Sequence, residues 1–422
     1  MPVAFLMRIL FLTPRFYPCP GGYETYVYHL AETFTRGGHQ VSVFTTDALD
    51  LEYFWVKGPR SFGAGRELHA GIEVCRFPIC HRRWLRRAGR LLSLLPWSDL
   101  KLQFARPSFR VIGLRAALKQ APADVIHVGP LPYNHLMYYG VREGERRGIR
   151  VIAMPCTHFG EDTNDDVSRF YTQPYQIALL NRCHTVLALT EMERQRLVQL
   201  GVSAERIAVI GGGIKPAEIT GGDAERFRSK WAIRGPIVLH LGMKAPDKGS
   251  VAVVEAMKLL WSEGSSAWLV LAGPSLSSFD EYLRPQASKL KQLLNLPPVS
   301  EEEKRDLLAA ADIVVQPSRV ESLGLIYLEA WANAKPVIAA DTAVTRELIR
   351  PGEDGLLVPF GEPASLAAAI RELLNNPKNG RALGRRGQLK IRGRFSWDAV
   401  LERVSPYFLP NGAGSSDPRS LP

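Results

Sequence analysis

The sequence lacks several features that would decide its class at once. Its five cysteines (Cys19, Cys75, Cys80, Cys156 and Cys183) are scattered and odd in number, with no C-x-x-C pair. That argues against a zinc site and against a disulfide framework, and it suits a reducing cytosol. No run of about 18 apolar residues occurs, so no transmembrane helix is expected. Ile210-Gly-Gly-Gly213 lacks the third glycine of a dinucleotide fingerprint, and Gly242 to Gly249 ends in K-G, not in G-K-[S/T]. Neither a dinucleotide dehydrogenase nor a P-loop NTPase is supported. No cluster of metal-ligand residues and no suitably placed D-x-D pair points to a divalent cation.

What is present is ordinary in amount. The 422 residues suit two domains, and 46% hydrophobic with 23% charged residues suits a soluble globular chain. The net charge of +11 fits nucleic acid, an anionic membrane face or an anionic substrate, and composition does not choose among them. The start, MPVAFLMRILFLTPRF, has some look of a signal peptide, but Arg8 interrupts its apolar run and Pro14 and Pro18 follow. A first β-strand over 8–13 is the better reading, with Met7 as an alternative start.

Short apolar runs alternate with helical patterns in two blocks. In the first block they fall at 8–13, 39–46, 71–77, 124–128, 150–154, 185–189 and 207–210. Gly211 to Gly213 then reads as a hinge, and the pattern restarts at 236–241, 267–272, 313–315 and 336–340. This predicts an α/β fold of two Rossmann-like, doubly wound parallel-sheet domains facing a central cleft. In the first block, Gly21-Gly22 precede a helix and would let backbone amides approach a phosphate, although a plain turn reads the same way. His158 follows a strand at the edge where such sheets bind ligands, yet a lone histidine is more often structural. Arg82, Arg83, Arg86, Arg87 and Arg90 lie among Trp84, Leu85, Leu91, Leu92 and Leu95. As a helix this is basic and partly amphipathic, fitting a membrane surface and a solvated charged face about equally. No nucleic-acid motif surrounds these arginines.

The stretch around which the rest is arranged is PSRVESLGLIYLEAWANAKP, from Pro317 to Pro336. It reads as a loop after a strand, then a helix starting near Gly324 and ending before Pro336. The unpaired N–H groups of a helix start suit a diphosphate, and Glu321 and Glu329 are acceptors for sugar hydroxyls. Spacing alone equally fits a surface loop and a helix with two solvated glutamates.

Glu321-Ser-Leu-Gly324-Leu-Ile-Tyr-Leu-Glu329, followed by Lys335-Pro336, resembles the E-x7-E signature of retaining glycosyltransferases of family 4, which have the GT-B fold. The resemblance implies that Glu321 contacts the transferred sugar and Glu329 the ribose, with Gly324 and Leu325 at the phosphate end of the helix. Gly242-Met-Lys-Ala-Pro-Asp-Lys248-Gly249 is similar to the family's G-R-x4-K-G motif, making Lys248 the diphosphate lysine. Met243 stands where the family has arginine, and Lys244 is the candidate to replace that charge, without the bidentate fork of arginine. Ala334 departs from the family's glycine and is expected to matter little. Gly21, Gly22 and Thr157-His158 also resemble family positions that face phosphates, sugar or acceptor.

The chain is thus expected to be a retaining, metal-independent, nucleotide-sugar-dependent glycosyltransferase with no cofactor beyond its co-substrate. Its expected acceptor is a glycan, a lipid-linked molecule or another hydroxyl compound. Catalytic roles fall to His158, Lys248 and Glu321; donor binding falls to Gly21, Gly22, Lys244, Gly324, Leu325 and Glu329. The expected domains are 1–212 on the acceptor side and 213–395 on the donor side, with a helix at 396–409 packing back on the first and a disordered tail at 410–422. The expected place is the cytoplasm, or the inner membrane face by way of the five arginines, with no nucleic-acid partner. A catalytically idle sugar-nucleotide-binding subunit, motivated by Met243, and a sugar-nucleotide epimerase or a phosphorylase remain the alternatives.

Overall fold

The structure is a computed structural model that describes residues 6–54, 61–81, 83–105, 109–159 and 166–409. The chain divides into two compact units, the first holding residues 1–158, 162–210 and 401–422, the second holding 159–161 and 211–400. Each is built on one sheet of short, apolar strands.

The first unit contains β1 (Arg8–Leu12), β2 (Gln40–Thr46), β3 (Gly65–His69), β4 (Ile72–Phe77), β5 (Val125–Val128), β6 (Arg150–Ala153), β7 (Thr185–Ala188) and β8 (Ile207–Val209). Their spatial order is β3-β4-β2-β1-β5-β6-β7-β8, parallel throughout except for the antiparallel β3–β4 pair. Central strands such as β1 and β5 are buried on both faces, which is why they read as unbroken apolar runs and not as alternating ones. β3, GRELH, was not foreseen: it lies at the sheet edge, almost wholly exposed, and carries no apolar periodicity to betray it. The segment from Leu401 belongs to this unit, where the Phe408 ring lies 5.8 Å from Phe11 and 4.9 Å from Phe34.

The second unit has β9 (Ile237–Leu241), β10 (Trp268–Ala272), β11 (Leu293–Leu296), β12 (Ile313–Gln316), β13 (Val337–Ala340) and β14 (Leu356–Val358). They form an all-parallel sheet in the order β11-β10-β9-β12-β13-β14, reversing direction of growth at β9. In open α/β sheets ligands gather beyond the carboxyl ends of strands at such a switch point. The loops that leave β9 and β12 there carry Lys248 and Glu321. Gly212 and Gly213, read from sequence as a hinge, are small for packing reasons. A Cβ on Gly212 would stand 1.9 Å from Leu323, and one on Gly213 would stand 2.7 Å from Val400.

No described helix is long and apolar enough to cross a membrane. Arg82 and the expected tail at 410–422 lie outside the described residues, as do the side chains of Arg83 and Arg86. Arg87 and Arg90 are exposed on the helix Arg83–Ser93, and Leu91, Leu94 and Trp97 beside them are 69%, 79% and 62% exposed.

Candidate active site

The loop after β9 is held from beneath by a buried histidine. His240 lies with Nδ1 2.9 Å from the Val315 carbonyl and Nε2 2.8 Å from Ser250 Oγ. Ser250 Oγ also accepts the Ala245 N–H at 3.0 Å, so the network fits a neutral ring protonated on Nδ1. Burial pushes the His240 pKa down to about 4, helped by the nearby Lys244 and Lys248 charges. The loop then turns through Gly249 in the left-handed region, φ 74°, where a Cβ would lie 2.4 Å from the Pro317 carbonyl. Glycine at 249 thus permits the close approach of the two loops.

That approach brings the expected charges together. Lys248 Nζ donates to Glu321 Oε1 at 3.0 Å and to the Val320 carbonyl at 3.1 Å. The two side chains are 19% and 13% exposed. Arg319, which the sequence reading passed over, is tied to the same place by its backbone N–H, bonded to the Asp247 carbonyl at 2.9 Å, and its side chain is exposed. Beyond Glu321 the helix Leu325–Ala332 starts from Gly324 at φ 85°, with no side chain capping it. A Cβ at Gly324 would lie 2.4 Å from the Tyr327 ring, whose hydroxyl donates to the Gln316 carbonyl at 2.6 Å. The uncapped helix start is therefore a built turn, with amide hydrogens directed outward.

Two expectations change. Lys244 does not stand in for the arginine replaced by Met243: it is 3% exposed, and its Nζ donates to Asn295 Oδ1 and to the Leu296 carbonyl, both at 2.7 Å. Burial lowers its pKa, opposed by Asp280. Its job in this geometry is to tie the β9 loop to the end of β11. Ala334, expected to be harmless, adopts φ 52°, a left-handed conformation that costs an L-residue about 1–2 kcal/mol. Glu329, in turn, is paired with a residue the sequence reading missed. Lys304 Nζ lies 2.6 Å from Glu329 Oε1.

In the first unit, Gly21 precedes the helix Gly22–Arg36, and a Cβ on it would lie 2.1 Å from Glu24 Oε2. Glu24 is held by Arg15, Nε to Oε1 at 2.9 Å, in a pair whose side chains are each 10% exposed. Gly21 is small because that buried pair leaves it no room; Gly22 is exposed at the helix start. His158 follows β6 and is half-buried, its ring 5.0 Å from that of Tyr171. The loop bearing it is pinned by Glu193, which accepts the Thr157 N–H at 2.6 Å and the Leu189 N–H at 2.8 Å. Glu193 was not singled out from sequence, because nothing local links it to residue 157.

Residues 21–213 match the family model for a glycosyl transferase 4-like domain, and residues 223–390 match that for glycosyl transferases group 1. The D-inositol 3-phosphate glycosyltransferase of Thermobispora bispora is 30% identical over 415 residues, covering 92% of this chain and 89% of that protein. The chain belongs to the group 1, family 4 glycosyltransferases. The enzyme of the same name from Kineococcus radiotolerans is 34% identical over 241 residues, and that alignment spans 51% of this chain and 55% of the relative. The phosphatidyl-myo-inositol mannosyltransferase of Mycobacterium leprae is 24% identical, with 94% and 95% of the two chains covered. Among solved structures, Anabaena HepE in complex with UDP and glucose superposes with a TM-score of 0.71 at 20% identity, covering 94% of this chain and 98% of that one. Sucrose-phosphate synthase from Thermosynechococcus elongatus gives 0.71 at 19%, covering 94% and 97%. At those identities the likeness speaks to the fold, and the fold of this family member is GT-B.

Proposed function

We propose that this family member transfers a sugar from a nucleotide-diphosphate sugar to a hydroxyl acceptor, with retention of configuration and without a metal ion. One observation carries the proposal: Lys248 and Glu321, from separate loops, lie 3.0 Å apart beside the uncapped helix start at Gly324. When the nucleoside diphosphate leaves, negative charge develops on phosphate while the sugar takes on oxocarbenium character. The Lys248 ammonium and the amides at Leu325 match the first, and Glu321 is an acceptor for hydroxyls of the second. Glu329 is assigned to the ribose, Gly22 to a phosphate through its amide, and His158 to the transferred sugar or its acceptor. The proposal gives the charge beside the leaving group to Lys248 and assigns no divalent cation there. No residue is assigned as a nucleophile.

Relatives named for inositol 3-phosphate and for phosphatidyl-myo-inositol support an anionic or lipid-borne acceptor. Exposed Arg87 and Arg90, with Leu91, Leu94 and Trp97, supply a basic and apolar face for an anionic membrane surface. We place the chain in the cytoplasm, with peripheral contact through that face. A second reading, a sugar-nucleotide-binding subunit without turnover, is favoured by Met243 and by the burial of Lys244 against Asn295 and the Leu296 carbonyl.

A screen of nucleotide sugars for release of free nucleoside diphosphate, with and without membrane lipid, tests the proposal. Release from one donor that disappears in Glu321→Ala is the expected outcome, increased by lipid if the acceptor is lipid-borne. Thermal stabilisation by a nucleotide without any release supports the second reading. Neither turnover nor nucleotide binding overturns both.

A further inference from the structure

A second basic stretch lies on a helix that the proposed reaction does not use. Residues 377–394 hold seven lysines and arginines and no acid, against a net charge of +11 for the whole chain. They form the helix Pro377–Gly393 and the residue after it, within the second unit. One face of this helix is buried. Leu383, Gly384, Gly387 and Ile391 pack inward, and the two glycines let the backbone come close against Ala334 and Trp331. Three of the cations serve that packing. Lys390 donates to the Leu348 carbonyl at 2.9 Å and pairs with Asp354, Arg386 donates to the Gly352 and Glu353 carbonyls, and Arg394 pairs with Glu347 at 3.8 Å.

The other four do not. Lys378, Arg381, Arg385 and Arg392 are exposed, and among the described residues none of their side chains makes an ion pair or a hydrogen bond. At 3.6 residues per turn they fall, together with Leu389, within an arc of about 80° opposite the buried face, in a row about 21 Å long. Leu389, inside that row, is 67% exposed. Like charges one helical turn apart repel, so the row works against the fold and has no partner within it.

The shape of the row selects the partner. A helix that reads nucleic acid projects from its domain into a groove about 12 Å wide. This helix is sunk along its length onto Ala334 and Trp331, leaving only the outer row free, and it carries no aromatic side chain to stack on a base. A flat anionic surface meets a straight, convex row of cations along its whole length, and a leucine among them adds apolar contact at the level of the headgroups.

We propose that the outer face of the helix Pro377–Gly393 docks on an anionic lipid surface through Lys378, Arg381, Arg385 and Arg392. The inference is independent of the donor reading, and the face is a different one from that of Arg87 and Arg90. There, exposed Leu91, Leu94 and Trp97 accompany the charge. Here the apolar side of the helix is buried in its own unit, so the contact is made by charge and is the more sensitive to salt.

Sedimentation of the full chain with vesicles of phosphatidylcholine, or of equal parts phosphatidylcholine and phosphatidylglycerol, tests this at low and at high salt. The wild type is expected to bind only the anionic vesicles. Arg381→Gln/Arg385→Gln/Arg392→Gln is expected to bind them about 100-fold more weakly at low salt, about fivefold for each charge. It should keep the wild-type melting temperature, since the three side chains bond nothing in the fold. Should it melt early, Arg385→Gln alone, about fivefold weaker, takes its place. Arg381→Lys/Arg385→Lys/Arg392→Lys keeps the charge and is expected to bind as the wild type does; a loss as large as that of the glutamine variant overturns the inference. Full vesicle binding by the glutamine variant, with loss in Arg87→Gln/Arg90→Gln, overturns it and leaves the first unit's face standing. A wild type that ignores anionic vesicles overturns both faces. Duplex DNA bound more tightly than the anionic vesicles, and released by the same glutamine variant, overturns it in favour of a nucleic-acid partner.

Discussion

Two lysines of the second unit, four positions apart in one loop, have opposite fates. Lys244 is enclosed and spends its ammonium on Asn295 and the Leu296 carbonyl; Lys248 is partly open and shares its ammonium with Glu321. Both are cations within the same motif, and motif proximity alone made both candidates for the diphosphate. What separates them is the direction the backbone gives each side chain. Lys244 is bonded through its own N–H to the Pro274 carbonyl, which turns it toward β11, whereas Lys248 sits in the short turn leading to Gly249 and toward the loop after β12. Each ammonium makes two hydrogen bonds, so it is the resulting exposure that separates them: Lys244 is enclosed, whereas Lys248 keeps an open side on which a ligand could meet it.

The sharpest way to break this comparison is to remove each charge in turn and read turnover and stability separately. Lys248→Met is expected to lower the rate of nucleoside diphosphate release by about 100- to 1,000-fold, the usual loss when a charge-matched donor at a leaving group is removed. A loss below tenfold would place the catalytic charge elsewhere, with Arg319 the next candidate because it is tied to the same turn. Lys244→Met should instead leave nucleotide affinity within about twofold while costing about 1–3 kcal/mol of stability in urea unfolding, since the buried Leu296 carbonyl loses the ammonium and keeps only the longer bond from the Gly273 N–H, at 3.4 Å. Equal stability with weakened nucleotide binding would reverse the assignment of the two lysines.

A smaller effect concerns the support beneath the loop. His240 has its folded pKa depressed to about 4, against an ordinary histidine value of 6.5. The unfolded chain therefore takes up the proton first as pH falls. Stability held above about pH 6.5 is lost progressively toward pH 4, through this and the similarly depressed His127 and His135. His240→Asn is expected to flatten the fall in melting temperature between pH 7 and pH 5; an unchanged slope would remove His240 from the cause. Smallest of all, Ala334→Gly relieves the left-handed residue at φ 52° and should raise stability by about 1 kcal/mol with no change in turnover.

Legibility from the sequence followed the range of the forces involved. The strands at 237–241, 268–272 and 313–316 stood out because strands buried on both faces are continuous apolar runs. The helix Pro377–Gly393 left no such mark, because glycine is a poor helix former; Gly387 is there because a Cβ would come 2.1 Å from the Trp331 indole, and Gly384 because one would come 2.1 Å from the Ala334 carbonyl. Propensity spoke against a helix that tertiary packing requires. β3 was invisible for the opposite reason, being an exposed edge strand with no buried face to leave a pattern.

By itself the sequence determined which chemical groups exist and where they fall along the backbone: a glycine-started helix, a glutamate on each side of that start, and a lysine one loop away. These follow from local geometry, because a helix start and its flanking residues need nothing from the rest of the chain. Tertiary structure alone decided which groups face each other. It set Lys248 against Glu321 and Lys304 against Glu329, and it turned Lys244 away to Asn295. Those partners are 73, 25 and 51 positions apart. Pairing over such separations is set by sheet order and by the fit of helices against it, which no local pattern of residues encodes.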